Sequence, residues 1–391
     1  MPLGGGQAST PIWVLVGTTA PPRLKRGGEL GVIFRNDLPI PALLDWRGLD
    51  GAVAAEPLTT ARPPIPPGGE ASFTIPLRRA GTLLCDLRLL GEGQALATRP
   101  FPLVVEDSEP IAADRDEVFL VEDWRLKPDG AACAPGIEAR DASPPIFTVN
   151  GQVSPEISLR SHERLRFRFI NGCQRQVIAL KIEGHEVRVI ALDSAPAEPF
   201  AARNSALVLA PGSRVDALID ATAAPATACQ ILLHDGKQAH SLARLSYAGA
   251  PVRPAPLPAA PALPDDGLPA RLELRGALRV DLALEGREWV MPADLSALRP
   301  PAFKAKRGRT IVLALSNHAE LATTFHLHGH HFRLLDRLDD GWKPFWLDTL
   351  AVEPGQIQRI AFSAEFSGRW LLESTRTDWA APRLVRWFSV E

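Results

Sequence analysis

The sequence predicts an all-β chain of three β-sandwich domains with a common plan, and three observations carry that prediction. A polar stretch leading into an alternating apolar strand and an Asn recurs three times. Each copy is followed by a Pro-Gly turn and a second strand of period two. Turn formers are abundant, with 37 Pro and 30 Gly in 391 residues, while strong helical periodicity is scarce.

The first element reads LKRGGELGVIFRND (24–37), LRSHERLRFRFING (159–172) and KRGRTIVLALSNH (306–318). The second reads PPGGEASFTIPL (66–77), APGSRVDALIDA (210–221) and EPGQIQRIAFSA (353–364). Alternation of apolar and polar residues after a Pro-Gly turn marks antiparallel strands with one buried face. A third element, Gly followed by an apolar strand, appears as GTLLCDLRLL (81–90) and GRWLLESTRT (368–377). Repetition at this scale sets the organisation: domain 1 over 1–108, domain 2 over 109–250, a linker over 251–269 and domain 3 over 270–391. The linker's repeated prolines favour a stiff, extended connector, which suits a fixed placement of domain 3 against domain 1.

Composition excludes several function classes. A formal net charge of −2 without long runs of one sign points away from nucleic acid and anionic membranes. No apolar stretch approaches the ~20 residues of a membrane span, so no transmembrane segment is expected. Cys85, Cys133, Cys173 and Cys229 are widely spaced, without a C-x-x-C. Zinc-ribbon and thioredoxin-like readings therefore fall away, and a disulfide in any of three pairings stays open. The opening MPLGGGQASTPIWVLVG lacks a basic stretch followed by a long apolar core, so it does not read as an export signal. Either the protein stays in the cytoplasm or a leader has been removed.

One segment carries metal chemistry: TTFHLHGHHF, residues 323–332. His326 and His328 are two apart, so a strand points both to one face and lets them grip a single metal cluster.

Together these residues resemble the multicopper oxidases, the laccase-like family of three Greek-key cupredoxin domains, over nearly the whole chain. DRDEVFLVEDWRLKPDG (114–130), FTVNGQVSP (147–155) and LVLAPGSRVDALID (207–220) are similar to its second domain. FHLHGHHF, LDTLAVEPGQ and the closing GRWLLESTRTDWAAPRLVRWFSVE are similar to its third. The resemblance implies a trinuclear copper cluster between domains 1 and 3, held by four H-x-H pairs, two from each domain. It also implies a type 1 copper in domain 3 on two His, one Cys and often a Met. Electrons would enter at the type 1 copper and reach dioxygen at the cluster. Such chemistry needs imidazole and thiolate ligands to cycle copper.

Most of those positions carry other residues here. His326 and His328 lie nine and eleven residues after Asn317, and Asp45 and Arg47 stand at the same offsets after Asn36. Glu373 and Thr375 lie five and seven after Gly368, matching Asp86 and Arg88 after Gly81. Of the eight trinuclear positions, two are histidine. The type 1 positions read Thr323, Ser374, Trp379 and Leu384. The expectation is that both copper sites are lost and that D-x-R segments replace coordination with carboxylate–guanidinium pairs. With His neutral, the former cluster sums to −1, which a protonated His326 or His328 would balance.

The expected function is therefore non-catalytic: a binding or scaffolding protein with an unidentified protein partner, and no cofactor. The family includes an exported bacterial cell-division protein with this architecture and no copper ligands, so a periplasmic or exported place is the expectation. The alternative is a metal-dependent oxidoreductase with copper, zinc or iron at His326 and His328, rebuilt with Asp45, Asp86 and Glu373. Plainer roles are expected elsewhere. His330 and His331 are structural or exposed, His185 has no ligand role, and His162, His234, His240 and His318 lie at the surface. Cys85 faces a core, and Trp379 fills space where a type 1 His would stand.

Overall fold

The computed structural model describes residues 1, 3, 9–17, 20–58, 63–90, 96–139, 141–295, 299–336 and 341–391. Part of the opening segment read above for an export signal lies outside the described residues. The regular structure of the described residues is almost all β, and the helical pieces among them are three-residue turns such as Val53–Ala55 and Pro292–Asp294. Among the described residues no helix is long and apolar enough to cross a membrane.

Among the described residues six of the seven sheets come in three pairs, the seventh being the short parallel pairing of Trp13–Val14 with Thr98–Arg99. In the first, Arg23–Lys25, Phe101–Glu106, Gly81–Leu89 and Ala42–Arg47 form one sheet, and Glu29–Arg35 pairs with Glu70–Pro76 in the other. The second pair has six and five strands, and the third has four and five. Each pair closes over its own apolar core: Leu44, Ile75 and Leu83 in the first, Phe167, Phe169 and Leu180 in the second, Phe325, Phe362 and Phe388 in the third. Cys85 packs into the first core, as its strand position requires.

The repeat seen in sequence has one hydrogen-bonding plan. Asn36 Nδ2 donates to the carbonyls of Ile40 and Ile65, Asn171 Nδ2 to Gln176 and Leu209, and Asn317 Nδ2 to Leu321 and Val352. The backbone carbonyl of each Asn accepts from the Gly of its Pro-Gly turn, Gly68, Gly212 or Gly355, at 2.7, 2.7 and 2.9 Å. All three glycines have positive φ, where a Cβ is penalised. The Asn ties strand to turn, so spacing counted from it lands on equivalent positions in each sandwich.

Residues of the Pro-rich segment have no regular strand and are pinned at both ends. Arg164 Nη2 donates to Leu257 O at 3.1 Å, Leu263 packs on Ile190 and Leu218, and Arg79 Nη1 donates to Asp266 O at 2.7 Å. All four cysteines are free thiols.

Candidate ion-pair centre between the first and third sandwiches

Two strand pairs face each other here. Ala42–Arg47 runs antiparallel to Gly81–Leu89 with Asp45 opposite Asp86. Thr323–Leu327 runs antiparallel to Gly368–Arg376 with His326 opposite Glu373. Period two puts Asp45, Arg47, Asp86 and Arg88 on the side facing the third sandwich, where Glu373, His326 and His328 meet them.

Arg88 is the hub. Its Nη2 donates to Asp45 Oδ2 at 2.6 Å and also to Glu373 Oε1, so one nitrogen joins carboxylates from both sandwiches. Arg47 Nη2 donates to the other Glu373 oxygen at 3.2 Å, and its Nη1 to Thr349 Oγ1 at 3.3 Å. Arg47 reaches there past Gly212 of the second sandwich, where a Cβ would lie 2.6 Å from Arg47 Nε. Asp86 instead pairs with Arg383 Nη1 at 2.9 Å. Thr375 borders a narrow cleft with Arg47 and Asp86.

The two histidines part company. His328 has a carboxylate at each ring nitrogen, Glu56 Oε2 at 3.2 Å from Nδ1 and Glu373 Oε1 at 3.1 Å from Nε2. Burial pushes its pKa down, but Glu56, Asp45 and Glu373 outweigh that and hold it up at about 10. His328 is an imidazolium. His326 Nδ1 donates to Asp348 O at 2.9 Å, and its Nε2 has no partner among the described residues. Burial, followed by the Arg47 charge, holds His326 well below the usual range, so it is neutral. Burial raises the Glu373 pKa, yet Arg88, His328 and Arg47 overcome it and keep the carboxylate ionised. Asp45 is held low in the same way by Arg88 against burial.

Two members escaped sequence reasoning. Glu56 follows the short turn Val53–Ala55; its Oε1 accepts from Leu371 N at 2.8 Å while its Oε2 meets His328. Arg383 comes from the last loop. No spacing rule reached either, because neither sits at a repeated offset. With them, Asp45, Asp86, Glu56 and Glu373 face Arg47, Arg88, Arg383 and the His328 imidazolium. The sum of −1 counted from the sequence becomes zero, and His328 rather than His326 supplies a balancing charge.

His330 and His331 are buried, which removes the exposed alternative for both. His331 Nδ1 meets Asp50 Oδ1 at 2.8 Å and Nε2 meets Asp193 O at 2.7 Å. Against burial, Asp50 holds its pKa up at about 9. His330 lies among Phe362, Phe366, Trp370 and Phe388, and burial lowers it to about 4. His185 is also buried, bonded to the Tyr247 hydroxyl at 2.5 Å. His234 and His318 are exposed, while His162 and His240 are half-buried.

Behind the Gly368–Arg376 strand, Ser374 lies opposite Phe325 and Leu384, and its hydroxyl donates to Leu284 O. Thr323 Oγ1 donates to Asn317 Oδ1 at 3.3 Å. Trp379 is buried, with the Arg125 guanidinium over its ring at 4.8 Å. No sulfur or imidazole ligand is supplied by these four residues.

All three sandwiches meet beside the centre. Arg214 of the second donates to both Asp348 oxygens of the third, at 2.9 and 2.7 Å, and to Thr82 O of the first at 3.1 Å. Asp193 Oδ2 accepts from the backbone of Asp348 and Thr349. Burial, then the Asp348 charge, raises Asp193 to about 6.

Sequence profiles of the multicopper oxidase family match residues 116–247 and 278–391, together more than half of the chain. The chain belongs to the multicopper oxidase family. It is 26% identical over 230 residues to Laccase-1 of Thanatephorus cucumeris, covering 52% of this chain and 39% of that protein. It is 27% identical over 248 residues to Laccase-6 of Oryza sativa subsp. japonica, covering 56% and 41%. The chain thus spans about two fifths of the length of these curated relatives. Among solved structures, a multi-copper oxidase from Pseudomonas thermotolerans superposes with TM-score 0.82 at 25% identity, covering 98% of this chain and 94% of that one. McoA multicopper oxidase from Aquifex aeolicus superposes at 0.73 with 15% identity, covering 94% and 88%, a likeness of fold alone. Three cupredoxin-like sandwiches are the family's architecture, and this chain has it.

Proposed function

We propose that this family member has given up both the type 1 and the trinuclear copper sites and acts as a non-catalytic binding or scaffolding protein. The observation that carries the reading is Arg88 Nη2, a cationic nitrogen shared by Asp45 and Glu373 between the first and third sandwiches. Copper of the family type needs neutral imidazoles and a thiolate. In this reading the positions offer two guanidiniums, a protonated His328 and hydroxyls instead, so the donors do not fit copper. The interface has turned from coordination to charge pairing, which keeps the sandwiches in register without a metal. An exported, periplasmic place and an unidentified protein partner belong to the same proposal.

A second reading has one observation in its favour. Asp45, His328 and Glu373 each offer a donor atom within 4.8 Å of the others. A zinc, iron or copper ion there would draw on a deprotonated His328, with His326 Nε2 as a further donor. Arg88 and Arg47 weigh against it, since they repel a dication and occupy the same carboxylate oxygens.

Metal analysis of protein purified without chelator, then copper reconstitution with a phenolic substrate, separates the readings. The expected result is no stoichiometric metal, no blue chromophore and no oxygen uptake. Stoichiometric copper with oxygen consumption would overturn the non-catalytic reading. One equivalent of zinc or iron, lost in His326→Ala and His328→Ala, would favour the second.

A further inference from the structure

We propose that the open edge of Glu29–Arg35 in the first sandwich takes up an extended strand from a partner polypeptide, laid parallel to it, with apolar residues at alternate positions and a basic and an acidic residue between them. In the second sandwich Arg115–Trp124 lies parallel to Arg164–Asn171, and in the third Leu278–Ala283 lies parallel to Thr310–Ser316. The equivalent strand of the first sandwich, Glu29–Arg35, is paired among the described residues on one side only, with Glu70–Pro76. Burial follows that difference. The positions six, four and two before the repeated Asn are Leu165, Phe167 and Phe169 in the second sandwich and Ile311, Leu313 and Leu315 in the third, all 0% exposed. In the first they are Leu30, Val32 and Phe34, and Leu30 and Val32 are only half-buried. Ile33, on the opposite face, is 74% exposed, and a Cβ added at Gly31 would meet nothing within 4 Å.

Asn36 N donates to Gly69 O and Leu77 N to Gly28 O, so antiparallel alternation turns the even residues between them toward Glu70–Pro76. The N–H and C=O groups of Glu29, Gly31, Ile33 and Arg35 then point to the open edge, a template for one more strand. The described residues hold no strand free to fill it. Met1 N donates to Thr10 O and Leu3 packs on Ala97 and Trp124, which keeps the start of the chain beside the second sandwich. Arg115–Trp124 and Leu278–Ala283 are engaged in their own sheets, so a second copy offers neither of them. The third sandwich shows the chemistry that fits. Leu278, Val280 and Leu282 pack on its core, while Arg279 and Asp281 are exposed. Laid on Glu29–Arg35 in the same register, such a strand covers Leu30 and Val32. Its basic residue stands diagonal to the exposed Glu29, and its acidic residue diagonal to Arg35, whose pair with Asp37 is solvent-exposed. Opposite charges at that spacing attract. This inference deepens the binding reading, on which it rests, by naming the segment of the partner that is recognised.

The test is a fluorescence-anisotropy titration of the full chain with a labelled peptide of residues 276–285, GALRVDLALE, alongside metal analysis of the same sample. Leu284 N donates to Ser316 O, so the even amides of this peptide face the receiving edge. The peptide is expected to bind. N-methylation of its Val280 amide should weaken binding at least about ten-fold, and N-methylation of the Asp281 amide, which faces away, should not. Ile33→Pro removes one edge donor and spares the bonds to Glu70–Pro76, so it should weaken binding at least about ten-fold with the folded signal intact. Ile33→Glu, which sets a negative charge beside Asp281 of the peptide without altering the backbone, should weaken it as well. Equal binding of the two N-methylated peptides, or wild-type affinity in both Ile33 variants, would overturn the proposal. So would a dimer in light scattering that Ile33→Pro dissolves, since a second copy would then be the occupant. Folded, metal-free protein that takes up no peptide at up to about 1 mM overturns this inference alone and leaves the non-catalytic reading standing. Stoichiometric copper with oxygen uptake overturns that reading and, with it, the binding role assigned to the edge.

Discussion

Replacing Arg88 by Met removes the cation on which two carboxylates converge while keeping most of the side chain's length. Arg88, Asp45 and Glu373 are each at most 3% exposed, so solvent screens their charges little. At about 4 Å and an effective dielectric near 20, each carboxylate gains roughly 4 kcal/mol from the guanidinium. Burial of the guanidinium offsets part of that gain, and breaking such a buried pair leaves a net loss of about 3–5 kcal/mol. The assay is equilibrium urea denaturation followed by tryptophan fluorescence, since Trp46 adjoins Asp45 and Trp370 lies in the facing strand. The deficit should depend on pH with a definite sign. Arg88 holds Glu373 and Asp45 below their ordinary values, so their contribution is present above those values and is lost as pH falls through the folded ones. Arg88→Met should therefore differ from wild type most near pH 7 and least in acid. A deficit under about 1 kcal/mol, or one independent of pH, would refute the charge-pairing account.

Other perturbations probe the same interface. His331→Gln should flatten the upper limb of the stability profile: a folded pKa of about 9 gives stabilisation fully present below about 6.5 and lost as pH rises through 9, read as Tm across pH 6–10. His328→Ala should cost about 3–5 kcal/mol near neutral pH by removing the buried cation that Glu56 and Glu373 both face, with metal content unchanged. Gly212→Ala should cost at least about 1–2 kcal/mol from its positive φ alone, and more through displacement of Arg47, measurable by urea denaturation. Arg214→Leu should leave Asp348 buried without its partner at the three-way junction, with a loss of about 3–5 kcal/mol and faster proteolysis between sandwiches.

Much of the centre was legible because it sits on repeated strands. Counting from Asn36 and Asn317 placed Asp45 and Arg47 opposite the His326–His328 pair, and the shared Asn-to-turn bonding explains why the count has no slippage. Asp86, Arg88 and Glu373 followed in the same way from Gly81 and Gly368. Glu56 and Arg383 lie in irregular segments, where side-chain direction has no period to betray it. For His330 and His331, burial was invisible because it arises from contact with Asp50 of another sandwich and with distant aromatic strands.

The sequence by itself determined the three-sandwich plan and which side chains stand at the repeated strand positions that build the centre, because strand alternation and turn chemistry are local. Tertiary structure alone decided which charges pair. Arg88 reaches across to Glu373, Arg47 passes over Gly212, and His328 rather than His326 holds the proton. Such choices depend on distances of 2.6–3.2 Å between strands far apart in the chain and on the water excluded around them. Electrostatic energy in a buried site follows separation and dielectric, and neither is written in the order of residues.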